Sequence, residues 1–265
     1  MTLLSPERLF PADPVARSIA KRLYSSICCV PIISPHGHAK PRWFSRNEPF
    51  SDPTQLFVVP DHYVFRMLYS QGVPFERLGI GSASAEDPRA VWRIFAQHYY
   101  LFRGTPTRLW LDFAFQELFD LHARLTPANA DEYFDAIAEK LRTPSFRPRA
   151  LFERFQLEVL ATTDSPLDSL ADHDAIRGAS FTGFKGRIIP TFRADPVVDP
   201  DFPGFAENLV RLGQIAKLDT STWQGYLFAL RQRRLDFRAA GCTATDHGHP
   251  TAATADLEPD AADRL

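Results

Sequence analysis

The N-terminal part of the chain alternates between helical spacing and one short strand-like run. Residues 13–27, DPVARSIAKRLYSSI, are predicted to form a helix with Pro14 at its first position. The run VPIIS that follows is apolar and rich in β-branched residues, which predicts a buried strand over residues 30–34. Its Pro31 stands at the start of the strand, where a proline is tolerated.

Residues 60–155 have helical spacing almost throughout. The segment PDHYVFRMLYSQGV carries an apolar stripe that ends at Gly72, and two aromatic-rich helices follow it. These aromatic side chains are predicted to form a core rather than a cofactor site. Asn129, three residues before Glu132, predicts a capping box at the start of the last helix of this region.

After Phe155 the pattern changes to strands that alternate with helices. Strands are predicted at 157–162, 187–192 and 242–246, and helices at 165–178, 202–218 and 221–241. We expect Ser221 and Gln224 to cap the last helix. Such alternation predicts parallel βα units. Because four strands cannot close an eight-stranded barrel, the pattern is compatible with an open α/β sheet or with the front half of a barrel.

Composition narrows the class of protein. The chain has 265 residues, of which 45% are hydrophobic and 23% charged, and 30 basic residues face 32 acidic ones. This balance gives no electrostatic reason to expect a nucleic-acid or membrane partner. Three cysteines without a CxxC motif form neither a disulfide framework nor a thiolate metal site. With no secretory signal and no apolar run of membrane-spanning length, we expect a cytoplasmic protein.

Polar residues follow each of the four predicted strands. In parallel α/β folds the carboxyl ends of the strands line one mouth, where ligands bind. The alternative is that loops after strands are polar in any case. In chain order these residues are His36 and His38; Thr162, Thr163 and Asp164; Arg193; and Asp246, His247 and His249.

The HGH stretch at 36–38 is a candidate metal site. Residues i and i+2 of an extended backbone point the same way, so His36 and His38 can direct two imidazoles at one cation. The alternative is a pair of surface or capping histidines. The DHGH stretch at 246–249 repeats the pattern beside a carboxylate, and could supply a ligand, a proton carrier or a group that orients a ligand.

Two further stretches leave alternatives open. In PDHYVFR, Asp61 could simply cap a helix, whereas His62, Tyr63 and Arg66 could contact a polyhydroxy acid. Arg193 could bind a carboxylate or pair with Asp195. The basic run at 231–238 is predicted to be a solvated helix face.

Taken together, these stretches resemble the uronate isomerase family of the amidohydrolase superfamily. The resemblance rests on motifs that occur in the family's order and span nearly the whole chain. It implies the N-terminal portion of a distorted (β/α)8 barrel, with about four βα units and a large helical insertion after strand one. We therefore expect residues 1–265 to form a single incomplete barrel domain with the helical insertion at 40–155. The motifs are RLFPADPVAR, PIISPHGHAKPRWF, PDHYVFRMLYSQGV, HYYLFRGTP, ATTDSPLDSL, PTFRADP and TDHGHPTAATADL.

The family resemblance also implies a reaction. It is an aldose–ketose isomerisation that interconverts D-glucuronate with D-fructuronate and D-galacturonate with D-tagaturonate. It implies one divalent metal ion, commonly zinc, with manganese or iron as alternatives, and the family's metal ligands fall on His36 and His38. A proton would move between C2 and C1 of the open-chain sugar.

The remaining roles are carried over residue by residue. The family's substrate-site pair falls on His62 and Tyr63, and Tyr63 is the candidate for proton transfer. The strand-three arginine falls on Arg193, a candidate for the uronate carboxylate, and the strand-four histidine on His247. The other residues that we expect to bind substrate are Arg66, Asp164 and Asp246.

The chain departs from the family in length. Its end after strand four leaves no counterpart for the aspartate that supplies the family's third metal ligand, or for the later arginine and tryptophan. We expect exposed strand edges, a missing C-terminal half or a homo-oligomer, and little activity from the isolated chain. Two alternatives are a metal-dependent hydrolase of the same superfamily and a non-catalytic half-barrel that binds a partner.

Overall fold

The structure is a computed structural model, and it describes residues 4–81, 86–178, 184–248, 254–262 and 264. The described residues belong to two compact units, one formed by Met1–Val30 and Glu48–Leu151 and the other by Pro31–Asn47 and Phe152–Leu265. The expected single domain with an insertion at 40–155 stays a prediction. His249 lies outside the described residues. Within the described ranges, no helix is long and apolar enough to cross a membrane.

Helices account for most of the regular structure. In chain order the α-helices are α1 Pro14–Ile27, α2 Pro41–Arg46, α3 Pro53–Phe57, α4 His62–Tyr69, α5 Pro88–Gln97, α6 Pro106–Phe113, α7 Ala130–Leu141, α8 Pro148–Arg154, α9 Ala171–Arg177, α10 Asp195–Val198, α11 Phe205–Ala216, α12 Trp223–Ala239 and α13 Pro259–Ala262. Four 3₁₀ turns and one π-helical turn connect some of them, at Phe75–Leu78, Tyr99–Phe102, Pro127–Asn129, Pro144–Phe146 and Ala114–Leu118. The strands are β1 Ile32–Gly37, β2 Leu157–Asp164, β3 Arg187–Arg193 and β4 Thr245–Asp246.

The first unit has an aromatic core, as its sequence predicts. Trp92, Phe95 and Phe115 are fully buried, and the Trp92 ring forms a tilted pair with Phe95 and an edge-on pair with Phe115. The indole N–H of Trp92 donates to the carbonyl of Ala130 at 2.9 Å, so this buried polar atom is satisfied. The aromatic helices therefore serve packing.

Helix capping confirms one expectation and corrects two. Asp61 caps α4 by accepting the backbone N–H of Tyr63 at 2.8 Å. The predicted box at Asn129 is wrong, because its side chain accepts from the N–H of Thr126, one turn earlier, instead of capping α7. At α12 the cap is Thr222, one residue after the predicted Ser221, because the Thr222 hydroxyl reaches the N–H of Gly225.

The second unit contains a four-stranded parallel sheet in the order β1-β2-β3-β4. Sequential parallel strands that alternate with helices are the topology of half a (β/α)8 barrel, so the predicted fold class is confirmed. β2 and β3 are buried along most of their length. β4 is shorter than predicted, since only Thr245 and Asp246 pair with β3.

The first strand differs from its prediction in position and burial. It begins at Ile32, two residues later than expected, and runs to Gly37. Ile32 and Ile33 are 49% and 63% exposed, because among the described strands β1 pairs only with β2 and forms an edge of the sheet. An apolar β-branched run identifies a strand, but it does not show whether a neighbour covers it.

The basic run at 231–238 is only partly a solvated face. Arg233 is 7% exposed, and its guanidinium donates to the carbonyls of Pro166 at 2.8 Å and Asp168 at 3.0 Å. The expectation is wrong at this residue because the loop after β2 presents carbonyl groups that the guanidinium satisfies. Arg233 thereby fastens α12 to that loop.

Candidate functional site

Two imidazoles converge at the carboxyl end of β1. The strand pairs Ser34 with Leu160 and Gly37 with Thr162, so it contains one residue more than β2 over this stretch. Such a bulge re-aims side chains, and His36 lies inside it. The Nε2 atoms of His36 and His38 are 2.9 Å apart, and the rings meet edge to face.

The glycine between the two histidines lets the end of β1 lie close to β2. A Cβ atom at Gly37 would lie 2.9 Å from Leu160 Cδ1 and 3.0 Å from the carbonyl oxygen of Ala161, closer than side chains normally pack. The hydroxyl of Thr163 donates to the carbonyl of Gly37 at 3.1 Å. β2 therefore fixes the backbone from which both imidazoles project.

Asp246 reaches the same place from β4. Its Oδ2 atom lies 2.8 Å from Nδ1 of His36 and 3.7 Å from a terminal nitrogen of Arg193. This oxygen is shielded from solvent and forms no well-aligned hydrogen bond with the described residues. β1 and β4 are the outer strands of the sheet, so the meeting of their side chains shows that the sheet curves like a barrel wall.

Arg193 lies beside Asp246 in the parallel register of β3 and β4. Its Nε atom is 3.1 Å from Asp195 Oδ2, and the other carboxylate oxygen of Asp195 accepts the backbone N–H of Gly248 at 2.6 Å. Burial raises the pKa of Asp195, but the backbone N–H groups of Gly248 and of Asp195 itself and the guanidinium of Arg193 outweigh it, so its pKa is lowered. The expected pairing of Arg193 with Asp195 is therefore present. It is made by Nε of the guanidinium and not by a terminal nitrogen.

Gly248 leaves space for the guanidinium. A Cβ atom at this position would lie 2.2 Å from Nη2 of Arg193. A cavity of about 290 Å³ opens here, lined among others by Thr163, Arg193, Phe202 and Gly248. We call His36, His38, Arg193, Asp195 and Asp246 the mouth cluster.

A second polar cluster is buried behind β2. The hydroxyl of Thr162 lies 2.6 Å from Asp164 Oδ2 and 2.9 Å from His173 Nε2, and His173 Nε2 is 3.8 Å from Asp164 Oδ2. His173 has no exposed surface, and its Nδ1 atom has no hydrogen-bond partner among the described residues. We call Thr162, Asp164 and His173 the inner cluster.

Burial dominates the electrostatics of the inner cluster. Desolvation raises the pKa of Asp164, although the Thr162 hydroxyl and the charge of His173 oppose it. Desolvation also lowers the pKa of His173, although Asp164 and three nearby aspartates oppose it. Both shifts favour the neutral forms. The substrate-binding role expected for Asp164 stays a prediction, and its carboxylate is 5% exposed in the structure.

The other predicted site residues are on the surface of their units. His62 and Tyr63 begin α4 in the helical unit with their rings 4.2 Å apart, and Tyr63 is 61% exposed. Arg66, one turn further along α4, is exposed, and so is His247 after β4. Their predicted roles remain predictions.

The mouth cluster has donors that suit a divalent cation. Two nitrogens bound tetrahedrally at about 2.0–2.1 Å from zinc lie about 3.4 Å apart, so the imidazoles need to open by only about 0.5 Å to hold an ion between them. The solvent-shielded, unsatisfied oxygen of Asp246 adds negative charge. No group of three or more histidine, cysteine or acidic side chains suited to a metal is found among the residues that the structure describes. The residues present thus fit a metal ion as two of its ligands.

The sequence pattern does not predict two members of these clusters, His173 and Asp195, or the neighbouring Gly248. His173 lies in a helical stretch where nothing distinguishes it from a surface histidine, and Gly248 was passed over between two histidines. From the sequence, Asp195 is predicted only as a possible partner of Arg193. A glycine next to a histidine at a strand end is a weak signal of close side-chain approach, and no sequence signal points to His173.

The sequence is similar to one protein family along most of its length. The family model described as glucuronate isomerase matches residues 14–264. The uronate isomerase of Rhizorhabdus wittichii is 60% identical over 262 residues, which are 99% of this chain and 55% of that protein. The uronate isomerase of Xanthomonas axonopodis pv. citri is 55% identical over 266 residues, 99% of this chain and 56% of that protein.

Solved structures agree. The crystal structure of glucuronate isomerase from Caulobacter crescentus matches with a TM-score of 0.91 and 48% identity, over 98% of this chain and 55% of that one. Uronate isomerase from Thermotoga maritima matches with a TM-score of 0.82 and 27% identity, over 97% and 54%. The chain thus spans about half the length of the relatives that it matches.

Proposed function

Because the chain belongs to the glucuronate isomerase family, we propose that it carries one part of a uronate isomerase active site. The proposed reaction interconverts D-glucuronate with D-fructuronate, and D-galacturonate with D-tagaturonate. One observation carries the proposal. Two imidazoles, a guanidinium and a carboxylate from three different strands meet in the mouth cluster.

In this proposal His36 and His38 hold one divalent metal ion, zinc before manganese or iron. The chemistry that such an ion would supply is that of a Lewis acid, which would make the proton on C2 of the sugar more acidic. Arg193 binds the uronate carboxylate with its terminal nitrogens, while Asp195 holds the Nε side of the guanidinium in place. Arg193 and the imidazoles thus fix the two ends of an open-chain uronate.

The remaining roles complete the proposal. Tyr63, with His62, transfers the proton between C2 and C1, and His247 assists proton transfer. Arg66, Asp164 and Asp246 contribute to substrate binding. The isomerisation requires a group that can accept a proton and return it. A phenol does so near neutral pH only where a nearby cation lowers its pKa.

The test is direct. The chain is incubated with zinc or manganese and D-glucuronate, and ketose formation is followed by chromatography, with the Rhizorhabdus wittichii protein as positive control. Because the chain spans half of that protein, a version extended by that relative's remaining segment is assayed in parallel. Turnover by the extended version that is lost in His38→Ala and Arg193→Gln supports the proposal.

The competing functions give different results. Hydrolysis of a lactone or amide panel without isomerisation would favour a metal-dependent hydrolase. Failure of both versions to isomerise any of the four uronates would refute the isomerase assignment.

A further inference from the structure

The contact between Asp246 and His36 has a consequence beyond charge. Nδ1 of His36 lies 2.8 Å from Asp246 Oδ2, while Nε2 of the same ring lies 2.9 Å from Nε2 of His38. Each nitrogen of His36 therefore faces a different group. A neutral imidazole has one donor nitrogen and one acceptor nitrogen, so these two neighbours together choose its tautomer.

The shielded oxygen of Asp246 decides the choice. A carboxylate oxygen removed from water needs a donor, and it can only accept. The terminal nitrogen of Arg193 is 3.7 Å away, beyond hydrogen-bond distance. Nδ1 of His36 is the nearer group at 2.8 Å, and the contact is a close approach that is not aligned as a hydrogen bond in the structure. A proton on Nδ1 brings positive charge density closest to the carboxylate oxygen, which favours that tautomer and leaves the Nε2 lone pair facing His38.

We propose that Asp246 is a positioning residue that holds His36 in the Nδ1-protonated tautomer and presents its Nε2 lone pair to a divalent cation. The inference rests on the proposed metal site and gives Asp246 a second task besides its proposed part in substrate binding. Groups of this kind raise the basicity of a ligating histidine, and their loss weakens metal binding by about 10- to 100-fold.

The contact between the two histidine rings agrees with this tautomer. If His36 carries its proton on Nδ1, its Nε2 accepts, and His38 is the donor across the 2.9 Å gap. If His36 and His38 held a cation, their two Nε2 atoms would supply its nitrogen ligands in place of this shared proton. The proposal thus gives His36 and His38 different tautomers.

The first experiment needs no metal. Nitrogen-15 NMR of the histidine-labelled 265-residue chain reports the ring tautomers, with the signals of His36 assigned by their disappearance in His36→Gln. We expect an Nδ1-protonated His36 in the wild type and a shift toward the Nε2-protonated form in Asp246→Asn, whose amide can donate to Nδ1. An Nε2-protonated His36 in the wild type, or an unchanged tautomer in Asp246→Asn, overturns the inference.

The second experiment measures zinc affinity by competition with a chromophoric chelator. Asp246→Asn should weaken binding by about 10- to 100-fold, and Asp246→Glu should recover part of the loss. Asp195→Asn is the matched control, because it removes the same charge from the same cluster at a carboxylate whose contacts are with Arg193 and Gly248.

The outcomes separate the two proposals. Equal losses in Asp195→Asn and Asp246→Asn would reduce the effect to general electrostatics and overturn the positioning role, as would unchanged affinity in Asp246→Asn. A wild-type chain that binds no zinc would count against the proposed metal site, while the NMR result would still decide what Asp246 does to His36.

Discussion

The inner cluster and the mouth cluster use the same chemical groups in opposite ways. Each cluster pairs a histidine with the aspartate that ends a strand, Asp164 in β2 and Asp246 in β4. The two histidines differ in exposure, because His173 has no exposed surface whereas the side chain of His36 is 46% exposed. Thr162 and Asp164 point to the same side of β2, and the intervening Thr163 contacts Gly37 of β1. Alternation along one strand therefore separates groups that stabilise the fold from groups available to a ligand.

The largest expected effect is a difference in the free energy of unfolding between variants of His173 and of His36. His173→Ala should lower the free energy of unfolding by about 3 kcal/mol, because it leaves a cavity and removes a partner of Thr162 in a buried site. His36→Ala should change it by no more than about 1 kcal/mol, because its side chain is half exposed. Urea unfolding followed by circular dichroism measures both. Equal losses would mean that the mouth cluster is also structural.

The pH dependence of stability should follow His173. Its folded pKa is lowered, so below the unfolded value of about 6.5 the unfolded chain binds more protons, and stability is lost as the pH falls. The raised pKa of Asp164 acts in the opposite direction, in a window that begins near the unfolded value of about 3.9.

Unfolding should therefore become easier between about pH 7.5 and 5.5, and His173→Gln should remove that part of the slope. The matched control is His122→Gln, since His122 is an exposed histidine paired with Asp120. If the slope is the same in wild type and His173→Gln, His173 does not titrate as its burial requires.

These clusters show how far the sequence could be interpreted. Strand-end placement was enough to propose His36, His38, Arg193 and Asp246 as neighbours, because parallel strands end at one edge. Placement at a strand end does not predict that Asp164 is buried, since side chains on both sides of β2 share that placement. Burial depends on α9, which covers one side of the strand, and the helix pattern does not show where that helix docks.

The fold was predictable for a related reason. β2 and β3 carry nearly continuous apolar runs because both of their faces are covered, whereas the sequence pattern places the edge strand β1 two residues too early and predicts that it is buried. The bulge that aims His36 depends on the pairing with β2, which no local pattern encodes. Local signals thus located the elements, and tertiary pairing decided what each one exposes.

Smaller effects on the free energy of unfolding and on zinc affinity are expected from variants of the adjacent residues Thr162 and Thr163. Thr162→Val should lower the free energy of unfolding by about 1–2 kcal/mol and leave zinc affinity unchanged, because the lost hydroxyl served Asp164 and His173. Thr163→Val should cost about 0.5–1 kcal/mol and weaken zinc binding, because its hydroxyl holds the backbone of Gly37. The same unfolding and chelator-competition measurements apply. Zinc affinity that falls in Thr162→Val but not in Thr163→Val would contradict the assignment of Thr162 to the fold and of Thr163 to the mouth cluster.

The smallest effect on stability should come from Gly248→Ala. Its new methyl group meets the far end of the Arg193 side chain, which can move aside, so the free energy of unfolding should change by no more than about 0.5 kcal/mol. The displaced guanidinium should nevertheless bind a uronate carboxylate less well, which calorimetric titration with D-glucuronate measures. Arg193→Gln should lose at least as much, and the double variant should lose no more than Arg193→Gln alone, because both changes act on one interaction. Additive losses would place Gly248 and Arg193 in separate roles, and the mouth cluster would then not be the carboxylate site.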